Sequence, residues 1–165
     1  DIVIIGGGAL LLLGLIDRPT KDLDMVARVT GERWIRAEPL PLALVDAIKD
    51  VGSALDLAED WLNAGPADLV DRGLPAGIEK RTTIKRFGPL TVRIASRQDH
   101  VAFKLYASVD RGPQSRHFSD LRLLQPVPEE LLVAARWCRT HDPSDPFLDM
   151  LNQALAALGV EGADV

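Results

Sequence analysis

Asp22 and Asp24 are the residues of this chain best spaced to do chemistry. They lie two apart in an apolar, strand-like run. Strand side chains alternate with period two, so both carboxylates face the same way. Two carboxylates side by side repel each other, and a divalent cation between them relieves the repulsion. Mg²⁺ in particular is held by one or two carboxylates together with substrate phosphates. Upstream, Gly6, Gly7 and Gly8 follow the apolar residues 2–5. Glycine lets backbone N–H groups approach a phosphate, with the start of a helix behind them. Arg18 and Thr20, just ahead of the acids, are placed to touch the same phosphate. A phosphate cradle beside metal-holding carboxylates is the equipment of nucleotide chemistry. The plainer readings are a strand-to-helix turn for the glycines, surface charge for Arg18, and two exposed acids pairing with Lys21 or Arg28.

A second group lies further along. Lys104 sits in the apolar stretch Val101-Ala102-Phe103-Lys104-Leu105-Tyr106. An inward-facing lysine there needs a partner, which a nucleotide phosphate or Asp120 would supply; otherwise it snorkels from the helix edge. Arg111, seven residues on, shares its helical face. Asp120 has three readings: a general base for an attacking hydroxyl, an ion-pair partner orienting Lys104, or a helix N-terminal acid after Ser119 favoured by the macrodipole. His100, His117 and His141 are too dispersed for zinc. His117, beside Arg116, reads as a loop histidine or a member of a phosphate-binding group. Cys138 next to Trp137 reads as core, and no G-x-S-x-G context supports a hydrolase triad.

The elements that must position these residues are legible from periodicity. Residues 2–5 form a strand, 8–15 a short helix and 22–29 a second strand. Residues 42–51 have helical spacing, and 55–63 read as another helix closing at Gly65-Pro66. Residues 78–87 and 90–95 read as strands joined by Gly88-Pro89, a hairpin signal. A helix over 99–109 has Ser96 as its N-cap. Further helices are expected from 119 to 124, stopped by Pro126, and over 129–138 and 146–158. The class is α/β (α+β): a mixed sheet flanked by helices over residues 1–98, with a helical part over 99–165 packed on it.

These two blocks together resemble the AbiEii-type nucleotidyltransferase toxins, within the polymerase-beta-like nucleotidyltransferase superfamily. The first block is Gly6-Gly7 followed by Arg18-x-Thr20-x-Asp22-Leu23-Asp24. The second is Lys104-Leu105-Tyr106-Ala107, then Arg111, then Ser119-Asp120-Leu121. The resemblance covers residues 2–124 and implies a minimal nucleotidyltransferase fold. It implies Mg²⁺ on Asp22 and Asp24, an NTP bound through Gly6, Gly7, Arg18, Thr20, Lys104 and Arg111, and catalysis by Asp22, Asp24, Lys104 and Asp120. It also implies transfer of an NMP to an acceptor hydroxyl, with RNA such as a tRNA 3′ end as acceptor, and a cognate antitoxin. A protein or small-molecule acceptor also falls within the superfamily. The wider superfamily takes a third carboxylate from a neighbouring strand. The candidate strand, 90–95, has no acid and carries Arg93, so Asp120 fills that place or the site binds metal weakly. A catalytically silent module that binds a nucleotide or a protein is the alternative. Dinucleotide binding is a lesser one, because Leu11 stands where that fingerprint wants its last glycine and the helix is too short for a crossover.

Composition sets the frame. The chain has 165 residues, 47% of them hydrophobic and 26% charged, as in ordinary globular proteins. One cysteine excludes an internal disulfide and fits a reducing, cytoplasmic setting. The apolar run 9–16 is too short to span a bilayer, so no membrane partner is expected. The chain opens on Asp1 within a strand-like pattern, so an N-terminal truncation is expected. Net charge is −5, yet residues 80–122 hold 10 basic and 3 acidic side chains. Such a segment is either a footprint for a polyanion or solvated charge balancing the acidic remainder.

Overall fold

The computed structural model describes residues 1–161. The chain forms two compact units, Asp1–Ala95 and one beginning at Ser96. The first is α+β and contains, in order, β1 (Ile2–Ile5), α1 (Gly6–Leu12), β2 (Leu23–Thr30), β3 (Arg33–Arg36), α2 (Leu42–Leu55), β4 (Leu62–Asn63), α3 (Leu69–Arg72), a 3₁₀ turn (Ile78–Lys80), β5 (Thr83–Phe87) and β6 (Leu90–Ile94).

The sheet is mixed, with strand order β3-β2-β1-β6-β5 and β4 alongside β2. β1 sits centrally, and all four of its residues are buried. That burial explains its unbroken apolar sequence, since a strand covered on both faces has no polar side to show. It pairs antiparallel with β2 and parallel with β6. The strand-helix-strand unit at the front is therefore antiparallel, which is not the parallel βαβ crossover on which a dinucleotide fingerprint depends. Ile2, Ile4, Met25, Val92 and Ile94 from the strands, Ala9 from α1 and Ile48 from α2 form one apolar core.

Several elements differ from the sequence expectation: the strand expected over 78–87 is a 3₁₀ turn at Ile78–Lys80 and then β5, and α3 was not expected. The expected helix over 55–63 does not form. α2 ends at Asp56 in the left-handed conformation (φ 53°), and the Leu57 N–H closes on the Gly52 carbonyl. The chain then turns back to the sheet. The Trp61 indole donates to the Ile48 carbonyl at 3.0 Å and the Leu23 N–H to the Trp61 carbonyl, which delivers β4 to the edge of β2. α1 starts at Gly6 with no intervening turn, and it stops at Leu12. β3 was not expected; Gly31, at φ 62°, closes a hairpin that pairs Trp34 with Val29.

The second unit is helical: α4 (Arg97–Arg111), α5 (Arg116–Leu123), α6 (Pro128–His141) and α7 (Asp145–Ala156). Its caps are written in serine. Ser96 Oγ accepts from the Asp99 N–H while the Asp99 carboxylate accepts from the Ser96 N–H, a reciprocal capping box. Ser115 and Ser144 cap α5 and α7 in the same way on one side. Leu105, Leu121, Leu131, Ala135, Cys138, Leu151 and Leu155 are fully or almost fully buried, and burial pushes the Cys138 thiol pKa far up. No helix among the described residues is long and apolar enough to cross a membrane.

Candidate functional site

In the first unit the site is built at the end of β1. Ile5 pairs with Asp24 across β1 and β2, so the Asp24 carboxylate lies over the Ile5–Gly6 junction. Gly6 has φ 82°, and a Cβ placed on it would overlap Asp24 Oδ2. Only glycine satisfies both the backbone conformation and the approach of the acid. Beside it, a Cβ on Gly7 would come within 3.3 Å of both Arg18 Nη2 and Thr20 Oγ1. Gly8 is closed in by Leu23 and by the Asp22 carbonyl. The glycine backbone is thus walled by the side chains of Arg18, Thr20 and Asp24.

Asp22 lies one residue before β2, and Asp24 within it. The Thr20 hydroxyl donates to Asp22, with 3.2 Å to the carbonyl and 3.3 Å to Oδ1. Thr20 therefore fixes an acid and also lines the glycine backbone. Both acids are half-buried. As a donor set, the half-buried Asp22 and Asp24 carboxylates would suit a Mg²⁺ ion that draws its remaining oxygens from phosphate. Among the described residues no group of three or more His, Cys, Asp or Glu side chains is placed to hold a metal ion.

Asn63 is the residue that sequence reasoning missed. β4 runs parallel to β2 with Asn63 as the register partner of Asp24, and its carboxamide donates to Asp24 Oδ1 at 3.3 Å. Asp24 lies between β1, through Ile5, and β4, through Asn63, whereas the sequence pointed to β6. β6 pairs with β1 and β5, and its Arg93 bonds Asp1 at 3.0 Å. A two-residue strand leaves no periodicity to read, so only the neighbouring Gly65-Pro66 stop hinted that the chain changes direction there.

In the second unit Lys104 and Asp120 form an ion pair at 2.7 Å, with side chains 5% and 0% exposed. α5 begins at Arg116, so Asp120 is its fifth residue and lies beyond the turn where the helix dipole favours an acid. Of the roles expected for Asp120, the one its geometry holds is the orientation of Lys104. Arg111 ends α4 and is exposed. His117 lies in α5 and is no loop histidine. Its pKa is held below the usual imidazole value, first by desolvation and then by the charges of Lys104, Arg116 and Arg111, against the opposing pull of Asp120. Lys104, Arg111 and Arg116 therefore act on one half-buried imidazole.

In comparisons with family models, with curated proteins and with solved structures, nothing matches this chain.

Proposed function

We propose that the chain is a Mg²⁺-dependent nucleotidyltransferase that moves an NMP from an NTP to an acceptor hydroxyl, with RNA such as a tRNA 3′ end as the acceptor. The observation that carries the reading is the close approach of the Asp24 carboxylate to Gly6, with Asp22, Thr20 and Arg18 around the same glycine backbone. Asp22 and Asp24 are the residues to hold Mg²⁺, which when bound neutralises charge on the reacting phosphates. Gly6 and Gly7 let the Asp24, Arg18 and Thr20 side chains close on the backbone, Arg18 offers a guanidinium to phosphate oxygens beside the acids, and Thr20 keeps Asp22 in place. The resemblance to the AbiEii-type toxins adds Lys104, Arg111 and Asp120 to the nucleotide-handling set, and with them a toxin role opposed by an antitoxin.

The test is transfer of label from each α-labelled NTP, with Mg²⁺, to total RNA, protein and small-molecule acceptors. The proposal expects label on RNA with the wild-type chain and none with Asp22→Ala or Asp24→Asn. Equal labelling by wild type and variants, or none on any acceptor, sinks it.

A silent nucleotide- or protein-binding module is the second reading. Asn63 favours it, because the position beside Asp24 on the adjacent strand carries an amide where a third carboxylate would serve the metal. NTP binding that ignores EDTA and survives Asp24→Asn would select this reading.

A further inference from the structure

The β5–β6 ribbon has a composition and an exposure that the candidate site does not use. Residues 80–95 hold five basic side chains and no acidic one. β5 is the last strand of the sheet order and is exposed at all five positions. Arg93 is paired with Asp1 and Arg81 donates to the Ala76 carbonyl. Lys80, Lys85 and Arg86 are exposed, and no ion pair engages them among the described residues. Phe87, at the tip of the hairpin, shares a strand face with Lys85 and is 57% exposed, while Arg86 and the 42% exposed Ile84 share the other face.

We propose that this ribbon binds single-stranded RNA, with Lys80, Lys85 and Arg86 on backbone phosphates and Phe87 as a stacking platform for a base. The choice of RNA rests on the acceptor named under the proposed function. The choice of nucleic acid over a protein strand rests on the ribbon itself. A charged edge strand discourages another strand from pairing with it, whereas exposed cations beside an exposed aromatic ring are the combination that holds single strands. Five basic side chains with no acidic one, within a chain of net charge −5, make this edge a local attractor for a polyanion.

The test is fluorescence anisotropy with labelled single-stranded RNA, single-stranded DNA and duplex DNA, without NTP or Mg²⁺, at several salt concentrations. The proposal expects single-stranded RNA to bind most tightly, with affinity falling as salt rises. Lys85→Glu with Arg86→Glu should weaken RNA at least about tenfold and flatten the salt slope. Phe87→Ala should weaken it about tenfold with the slope unchanged. The substituted side chains are exposed, and a melting curve verifies that each variant folds. No RNA binding, binding unchanged in these variants, or equal affinity for DNA overturns the proposal. Its failure separates from failure of the transferase reading. Asp24→Asn should bind RNA like wild type while transferring nothing, and a wild type that labels acceptors although ribbon variants label them equally well refutes the ribbon alone.

Discussion

The Asp24 carboxylate occupies the space in which any residue other than glycine at position 6 would carry its Cβ. Gly6 combines this with φ 82°, a conformation that side chains rarely adopt. Gly6→Ala should therefore lose about 1–3 kcal/mol of stability from backbone strain and displace Asp24 as well. Thermal unfolding with and without Mg²⁺ and NTP separates the effects. The variant should melt lower and gain less from the ligands than wild type does. Gly14→Ala, where φ is 69° but nothing lies near, should show the strain without the loss of ligand response.

Asn63 is hydrogen-bonded to Asp24 and sits beside it in register. Asn63→Asp keeps the size of the side chain and adds a third carboxylate. Without metal, two facing acids repel and the variant should melt below wild type. With Mg²⁺ or Mn²⁺ it should recover, and calorimetric titration should show metal binding about tenfold or more tighter. An unchanged response to metal would remove Asp24 from the metal set.

The Lys104–Asp120 pair is buried on both sides. Removing one partner leaves an uncompensated charge in the core, so Lys104→Met or Asp120→Leu should each cost about 3–5 kcal/mol, while the double variant should regain most of that loss. Urea unfolding of the three variants forms the cycle. Two additive losses would mean that the charges are not coupled.

His117 has a lowered pKa from burial and from neighbouring cations. Above an ordinary imidazole pKa of ~6.5 the ring is neutral in both the folded and unfolded chain and contributes nothing. As pH falls below that value the unfolded chain takes up a proton before the folded one, so stability is lost progressively until the folded pKa is passed. Urea midpoints from pH 7.5 down to 5.5 should decline more steeply for wild type than for His117→Gln. Parallel curves would place the acid sensitivity elsewhere.

What could be read in the sequence followed from how much local chemistry each element carries. β1 and α4 were legible because one is a continuous apolar run and the other has a serine three residues ahead of Asp99. Their structural counterparts are full burial of the strand and a complete capping box. The hairpin at Gly88 was legible for the same reason, Gly88 having φ 57°. The segment before Asn63 was misread as a helix because apolar residues recur through it up to the Gly65-Pro66 stop. Leu55 and Leu57 are exposed, and Trp61 is placed by distant partners instead, the Ile48 carbonyl and the Leu23 N–H. At the site, the glycines and acids announced themselves by type. The roles of Thr20 as a brace for Asp22 and of Asn63 as the neighbour of Asp24 depend on strand register, which two residues of sequence do not encode.

The amide beside Asp24 also has a genetic side. Asparagine and aspartate codons differ by one base in the first position, and their side chains have nearly the same shape. A gene for this chain is therefore one transition away from three acids at that corner, and one transition back again. The exchange keeps the side chain's shape and replaces the hydrogen bond to Asp24 with a second carboxylate. On the proposed reading, a lineage carrying this fold can move between two and three carboxylates at that corner by single-base changes.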